Sequence, residues 1–401
     1  MDNNRKMLIA NQLSFGILGA IEAAWAPMVP FVKSGMQLDD AQFGRLLLAM
    51  GLGSLIALPF VGPLVNRYGC RFMAILGCII EGLSLVGITF SDNTFVVIAM
   101  LMLFGTSLII VDVSSNVNAV IVESIFKRPL MSGFHGGYSL GTIVGALLMT
   151  ILLQICSKLG LAIDVNLSVS AVILFVIMTA LTLVGCKSLV SDIKSFNAEK
   201  SKKAEDTEEK KQRKLNLPLP VLIIGCLCFI MYSSEGALLS WSTVFATQNI
   251  GIDPVIAGYF YLFFAVTMTT SRYLGNGLVR RVGRLRTVVT GAVLVSLGFI
   301  ITALIPHYVG MMIGFTFVGL GAGNIVPQLV SFAGTVKGIR VQSAISLVNS
   351  LGYSGILLGP VIIGQISKSF SLETSFVCIG CAVCVVAIVS FFLLQPKRAN
   401  A

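Results

Sequence analysis

Charge is scarce in this chain. Asp, Glu, Lys and Arg supply 11% of its 401 residues, less than half the roughly 25% of soluble globular domains. So few charges cannot cover a water-facing surface, and composition excludes an ordinary soluble fold. Histidine is scarcer still, with only His135 and His307. Neither sits in a nucleophile–base or metal-ligand pattern, which argues against a multispan membrane enzyme; no metal and no soluble cofactor is expected. Tryptophan is limited to Trp25 and Trp241.

Apolar residues make up 56% of the chain, in runs near the ~20 residues that cross a bilayer. Expected spans are 7–32, 43–65, 72–91, 94–120, 133–155 and 166–186, then 217–245, 255–279, 287–306, 308–334, 342–366 and 372–395. The first run is too long for a signal-peptide core and ends without an A-x-A site, so it is expected to be a span. Cys378, Cys381 and Cys384 recur every three residues on one side of the last span, where small residues are expected to let helices pack closely. Between the sixth and seventh spans lies the polar stretch Asn197–Lys214, expected to be a flexible or weakly helical linker. The expected organisation is an all-α membrane protein of twelve transmembrane helices. Residues 1–188 form one six-helix half, 189–216 a cytoplasmic linker, and 217–401 the second half.

The net charge of +10 invites a nucleic-acid reading, but the basic residues lie in loops rather than on one face. With both termini cytoplasmic, inner loops and tails hold 23 Lys and Arg against 3 outside. The positive-inside rule therefore favours that orientation. No nucleic-acid partner is expected; the lipid bilayer is.

The two halves echo each other. Leu64-Val65-Asn66-Arg67-Tyr68-Gly69 is followed 214 residues later by Leu278-Val279-Arg280-Arg281-Val282-Gly283. Gly137-Tyr138-Ser139 returns as Gly352-Tyr353-Ser354, and Glu22 has a counterpart in Glu235. Near-constant offsets in corresponding helices imply a duplicated unit.

The stretch Gly62-Pro63-Leu64-Val65-Asn66-Arg67-Tyr68-Gly69-Cys70-Arg71 resembles the major facilitator signature between helices two and three. Asn66 stands where that family usually has Asp. The resemblance implies a two-half transporter with a gate at this loop, carried by Gly62, Asn66, Arg67, Gly69 and Arg71, with Arg281 in the repeat. Gly62 is expected to permit close helix approach; positive-inside anchoring is the alternative for the arginines. Two further stretches, Asp112-Val113-Ser114-Ser115-Asn116 and His135-Gly136-Gly137-Tyr138-Ser139-Leu140-Gly141, resemble a bacterial inner-membrane subgroup distantly similar to fucose–proton symporters. That resemblance implies alternating access, coupling to protons, a small polar and sugar-like substrate, and a monomer in the inner membrane. A proton-coupled exporter of amphiphilic compounds is the alternative.

An ionisable group within a span costs about 2.5–3.5 kcal/mol, so each needs a reason. Asp112 and Asn116 share a helical face, with Glu123 two turns on. The symporter resemblance makes Asp112 the proton-coupling candidate, with Glu22 as a second; a structural ion pair is the alternative. Glu22 with Trp25, and Glu235 near Trp241, combine an acid with an aromatic face suited to a polar ligand. Interfacial anchoring is the other reading of the tryptophans. Asn324 with Gln328, and Asn349 with Tyr353, are i, i+4 pairs that either glue helices or contact substrate, as Asn116 does. Arg272 is expected to form an ion pair, with Asp112 or another acid, or to meet an anionic substrate. Arg45 is expected to snorkel outward; Glu81 receives no role.

Overall fold

The computed structural model describes residues 3–127, 130–191, 218–336, 338–339 and 341–393. The linker residues Asn197–Lys214 lie outside the described residues, as do Arg128, Lys337, Arg340, Lys397 and Arg398. Among the described residues every regular element is a helix. In chain order these are α1 (Asn3–Gly35), α2 (Asp40–Thr89), α3 (Thr94–Phe126), α4 (Met131–Lys158) and α5 (Ile163–Gly185), with a 3-10 turn at Cys186–Ser188. Then come α6 (Leu219–Gln248), α7 (Pro254–Val282), α8 (Arg284–Leu304), α9 (Tyr308–Ala322), α10 (Ile325–Ala333), α11 (Val341–Ser369) and α12 (Leu372–Leu393).

Two departures from the expected spans have local causes. The spans at 43–65 and 72–91 form one 50-residue helix, α2, that turns at Gly69 (φ 85, ψ 157). At about 1.5 Å per residue it is roughly 75 Å long, more than twice the ~30 Å hydrocarbon core, so it makes two crossings. The span expected at 308–334 is interrupted at Gly323 and Asn324, so α9 and α10 share one crossing. Among the described residues, length and composition thus give twelve crossings.

Helix ends follow their sequence signals. Asn93 accepts a hydrogen bond from the Phe95 N–H at the start of α3, and Asp253 does the same for Val255 at the start of α7. Both satisfy amides that have no partner within the helix.

The duplication is visible in the backbone. Gly283, 214 residues after Gly69, has φ 85 and ψ 160, a region that only glycine enters without strain. In the first half α1 runs along α4, and in the second α6 runs along α11. Gly141 and Gly145 lie against the backbone of Gly16 and Ala20 on α1. Their counterparts 214 residues on, Gly355 and Gly359, lie against Phe229 and Ser233 on α6. Small residues at these positions let two backbones meet, which is how helices associate where lipid removes the hydrophobic drive.

By contact density the chain forms two units. One comprises the described residues up to 36 and from 49 to 191; the other comprises 37–48 together with 218–393. Within the second, Gly44 fits against Pro360 and Gly364 of α11, and Asp39 pairs with Lys368 at 3.0 Å. Leu55, Phe60, Phe95, Val184 and Phe392 are exposed, as expected of side chains facing lipid rather than water.

Two packing expectations are corrected. A side chain at Gly62 would meet nothing within 4 Å, so no close helix approach depends on this glycine. Cys378, Cys381 and Cys384 are all exposed. Cys384 still reaches α8, its Sγ lying 3.0 Å from the Ser296 hydroxyl, and Gly380 makes the close backbone contact with Ser296 and Ile300.

Candidate functional site

Each unit carries an acid near the middle of its first full helix, and each acid has a different partner. In the first unit Glu22 on α1 is half-buried and accepts a hydrogen bond from the Tyr138 hydroxyl at 2.7 Å. Tyr138 is brought close by the contact of Gly137 and Gly141 with α1. Trp25, almost one turn beyond Glu22, is fully buried. Its indole N–H has no acceptor among the described residues, so it is an interior side chain and not an interfacial anchor.

Asp112 lies near the middle of α3, half-buried. The Asn116 amide donates to both its carboxylate and its carbonyl at 2.9 Å. The bonded partner of this acid is thus a neutral amide. Glu123 serves another purpose, accepting the Leu130 and Met131 N–H groups at 2.6 and 2.8 Å. It stabilises the start of α4, where an anion is favoured by the exposed amides. Nearer the chain's start, Asn118 donates to Asn11 and accepts from the Val190 N–H, both at 2.9 Å. Val190 in turn accepts from the Arg71 N–H at 3.0 Å.

In the second unit the Arg272 guanidinium lies 3.6 Å from the Glu235 carboxylate, with side-chain exposures of 35% and 19%. Tyr232, one turn before Glu235, stacks on Tyr353 of α11 with ring centroids 5.5 Å apart. Asn349, one turn before Tyr353, is half-buried. Trp241 is fully buried and meets Phe43 edge-on at 5.5 Å, so it too is no interfacial anchor. The helix-glue reading describes Asn324: its amide donates to the Ser271 carbonyl and hydroxyl at 2.7 and 3.0 Å, tying the α9–α10 break to α7. Gln328 accepts from Arg284 at 3.4 Å, and Arg284 also reaches Ser331 at 3.0 Å.

At the signature loop Asn66, Arg67, Arg71 and Arg281 are exposed. Arg67 lies over the Tyr68 ring at 5.2 Å. Gly69 is held against Ser191 so closely that a side chain there would overlap its carbonyl. Arg45 is exposed on the second turn of α2.

Tyr138, Tyr232 and Arg284 escaped sequence reasoning. Tyr232 had a signal, since three residues before Glu235 places it on the same helical face. Tyr138 stood in the repeat opposite Tyr353, but its bond to Glu22, which spans 116 positions, was not readable from sequence. The first unit's cluster offers carboxyl and hydroxyl hydrogen-bonding groups; the second unit's offers an ion pair beside a stacked aromatic surface.

Relatives decide the family. The Major Facilitator Superfamily model matches residues 13–338 and again 277–401. The chain belongs to the major facilitator superfamily. An uncharacterised transporter of this type from Yersinia pestis is 36% identical over 380 residues, 94% of each chain. The membrane protein MosC of Rhizobium meliloti is 26% identical, covering 98% of this chain and 91% of its own length. The solved nucleoside transporter NupG shares the fold with a TM-score of 0.73 at 12% identity, over 98% of this chain and all of its own. This facilitator is a multi-pass membrane transporter and not an enzyme.

Proposed function

We propose that this facilitator is a proton-coupled symporter of a small polar solute in the bacterial inner membrane, working as a monomer by alternating access. The observation that carries the reading is Asp112. It is an acid near the middle of a spanning helix whose hydrogen-bond partner is the neutral Asn116 amide. A carboxylate paired with a cation keeps its charge, whereas one held by a neutral amide is free to gain and lose a proton as its surroundings change. Protonation of Asp112, with Glu22 as a second acid, removes charge from the span and lets the loaded carrier reorient.

The Glu22–Tyr138 pair of the first unit, and separately the Glu235–Arg272 pair with the Tyr232–Tyr353 stack of the second, are polar and aromatic groups of the kind a sugar-like solute uses. In this reading both termini are cytoplasmic, the two duplicated halves are residues 1–188 and 217–401, and 189–216 link them. The Gly69 and Gly283 corners act as the cytoplasmic gate hinges. The test is a solute library screened for thermal stabilisation of the purified protein at two pH values, since a ligand bound only by the folded state raises its stability. A polar solute whose effect depends on pH supports symport. Stabilisation confined to amphiphilic cations overturns it in favour of the exporter.

A further inference from the structure

The chain does not leave the first unit where α5 ends. It runs on from the 3-10 turn as a strap, Cys186–Ser191, laid across the corner of α2. Cys186 and Leu189 are buried. Val190 packs on Val61 and Val65 of the first arm of α2, on Cys70 and Met73 of the second, and on Ile110 and Ile121 of α3. Both backbone groups of Val190 are bonded. Its N–H donates to the side-chain carbonyl of Asn118 at 2.9 Å, and its carbonyl accepts the Arg71 N–H at 3.0 Å. Asn118 is fully buried and donates in turn to Asn11 of α1 at 2.9 Å. A single residue of the strap thus ties both arms of α2 to α3 and, through Asn118, to α1.

The corner has a local need for this strap. The second arm of α2 starts beyond Gly69, and the first amides of a helix have no carbonyl of their own helix to bond. The Val190 carbonyl supplies one at Arg71. Ser191 then lies so close to Gly69 that a side chain there would overlap its carbonyl. The second unit is different. Gly283 has nearly the same backbone angles as Gly69, yet among the described residues nothing lies within 4 Å of where its Cβ would be. The two corners share a shape, and only the first is strapped.

A short segment held by two backbone bonds and one apolar side chain has far fewer ties than the helices around it, and such segments open locally before the fold as a whole does. We propose that Cys186–Ser191 is a releasable latch on the Gly69 corner. Closed, it fixes the angle between the two arms of α2; open, it frees that corner to turn. The Gly283 corner turns without a latch. This rests on the reading of the two corners as gate hinges and adds what decides when the first of them can move.

The experiment needs no substrate: hydrogen–deuterium exchange of the full chain in lipid nanodiscs, resolved to single amides. Arg71 and Val190 are expected to share one degree of protection, lower than that of Val111 in the buried middle of α3. Asn118→Ala removes the acceptor of the Val190 N–H and should speed exchange at both amides by about tenfold or more, leaving the amides around Gly283 unchanged. Val190→Ala keeps both backbone bonds and trims only the apolar seat, so it serves if Asn118→Ala fails to fold; a smaller rise at the same two amides is expected. Cys70, fully buried between Gly69 and Arg71, reports the opening chemically, and its labelling by a maleimide should rise in step. Protection equal to that of Val111 would make the strap a permanent brace and overturn the latch. Unequal protection of Arg71 and Val190, or no response to either variant, overturns it as well. Failure of the gate reading would appear only in flux, as transport unaltered in a variant whose corner exchanges faster, so the two failures are separable.

Discussion

Replacing Gly141 with alanine tests one of the tightest helix contacts in the first unit. A Cβ there would fall on the carbonyl oxygen of Gly16, 2.7 Å from its carbonyl carbon and 2.9 Å from its Cα. All three are backbone atoms, so no side chain can swing aside and α1 must move away from α4. Overpacking of this kind costs about 1–3 kcal/mol when neighbours can adjust, and a rigid backbone wall places this site at the upper end. Alanine recovers about 0.5–1 kcal/mol of helix preference, leaving a net loss of about 2 kcal/mol. Gly62→Ala is the control, with nothing within 4 Å of its Cβ and a gain of at most about 1 kcal/mol. The two variants should therefore differ by roughly 3 kcal/mol, a melting difference of several degrees. Thermal unfolding in one detergent at one scan rate reads this, because such midpoints are partly kinetic. If Gly141→Ala melts at or above Gly62→Ala, the glycine contact between α1 and α4 is not as described.

Gly69→Ala should destabilise more than Gly283→Ala. Both pay about 1–3 kcal/mol for the positive φ, but only at Gly69 does the new methyl collide, with Ser191; equal melting shifts would refute this. Arg272→Ala leaves Glu235 without its cation. Partial exposure reduces the cost to about 1–2 kcal/mol, and Glu235→Gln in the same chain should restore most of the melting temperature. Asn324→Ala removes two bonds to Ser271 and should cost about 1–3 kcal/mol. Substrate affinity should hold in that variant, because this amide is occupied by helix packing; lost affinity with unchanged stability would return it to the binding site.

Helix number and duplication were legible because they depend on chemistry repeated along the chain. Long apolar runs mark crossings, and a fixed offset relates Gly69 to Gly283 and Glu22 to Glu235. What a helix face touches was not legible. In a membrane the lipid side and the packed side are both apolar, so spacing showed that Cys378, Cys381 and Cys384 share a face but not that the face is exposed. Gly62 failed for the same reason, since a glycine in a signature does not reveal whether anything lies against it. Glu235 and Arg272 were each visible as costly charges, but sequence offered several acids for one arginine and only the fold selects among them. Glu81 could be seen as an acid in an apolar run; that it meets no donor among the described residues needed three dimensions.

Once the stabilisation screen supplies a solute, its accumulation in proteoliposomes under an imposed pH gradient tests proton coupling most directly. Wild type is expected to concentrate the solute against its gradient. Asp112→Asn should abolish that accumulation while still exchanging labelled for unlabelled solute across the membrane. Undiminished gradient-driven accumulation by Asp112→Asn would contradict the role given to Asp112 and the coupling built on it.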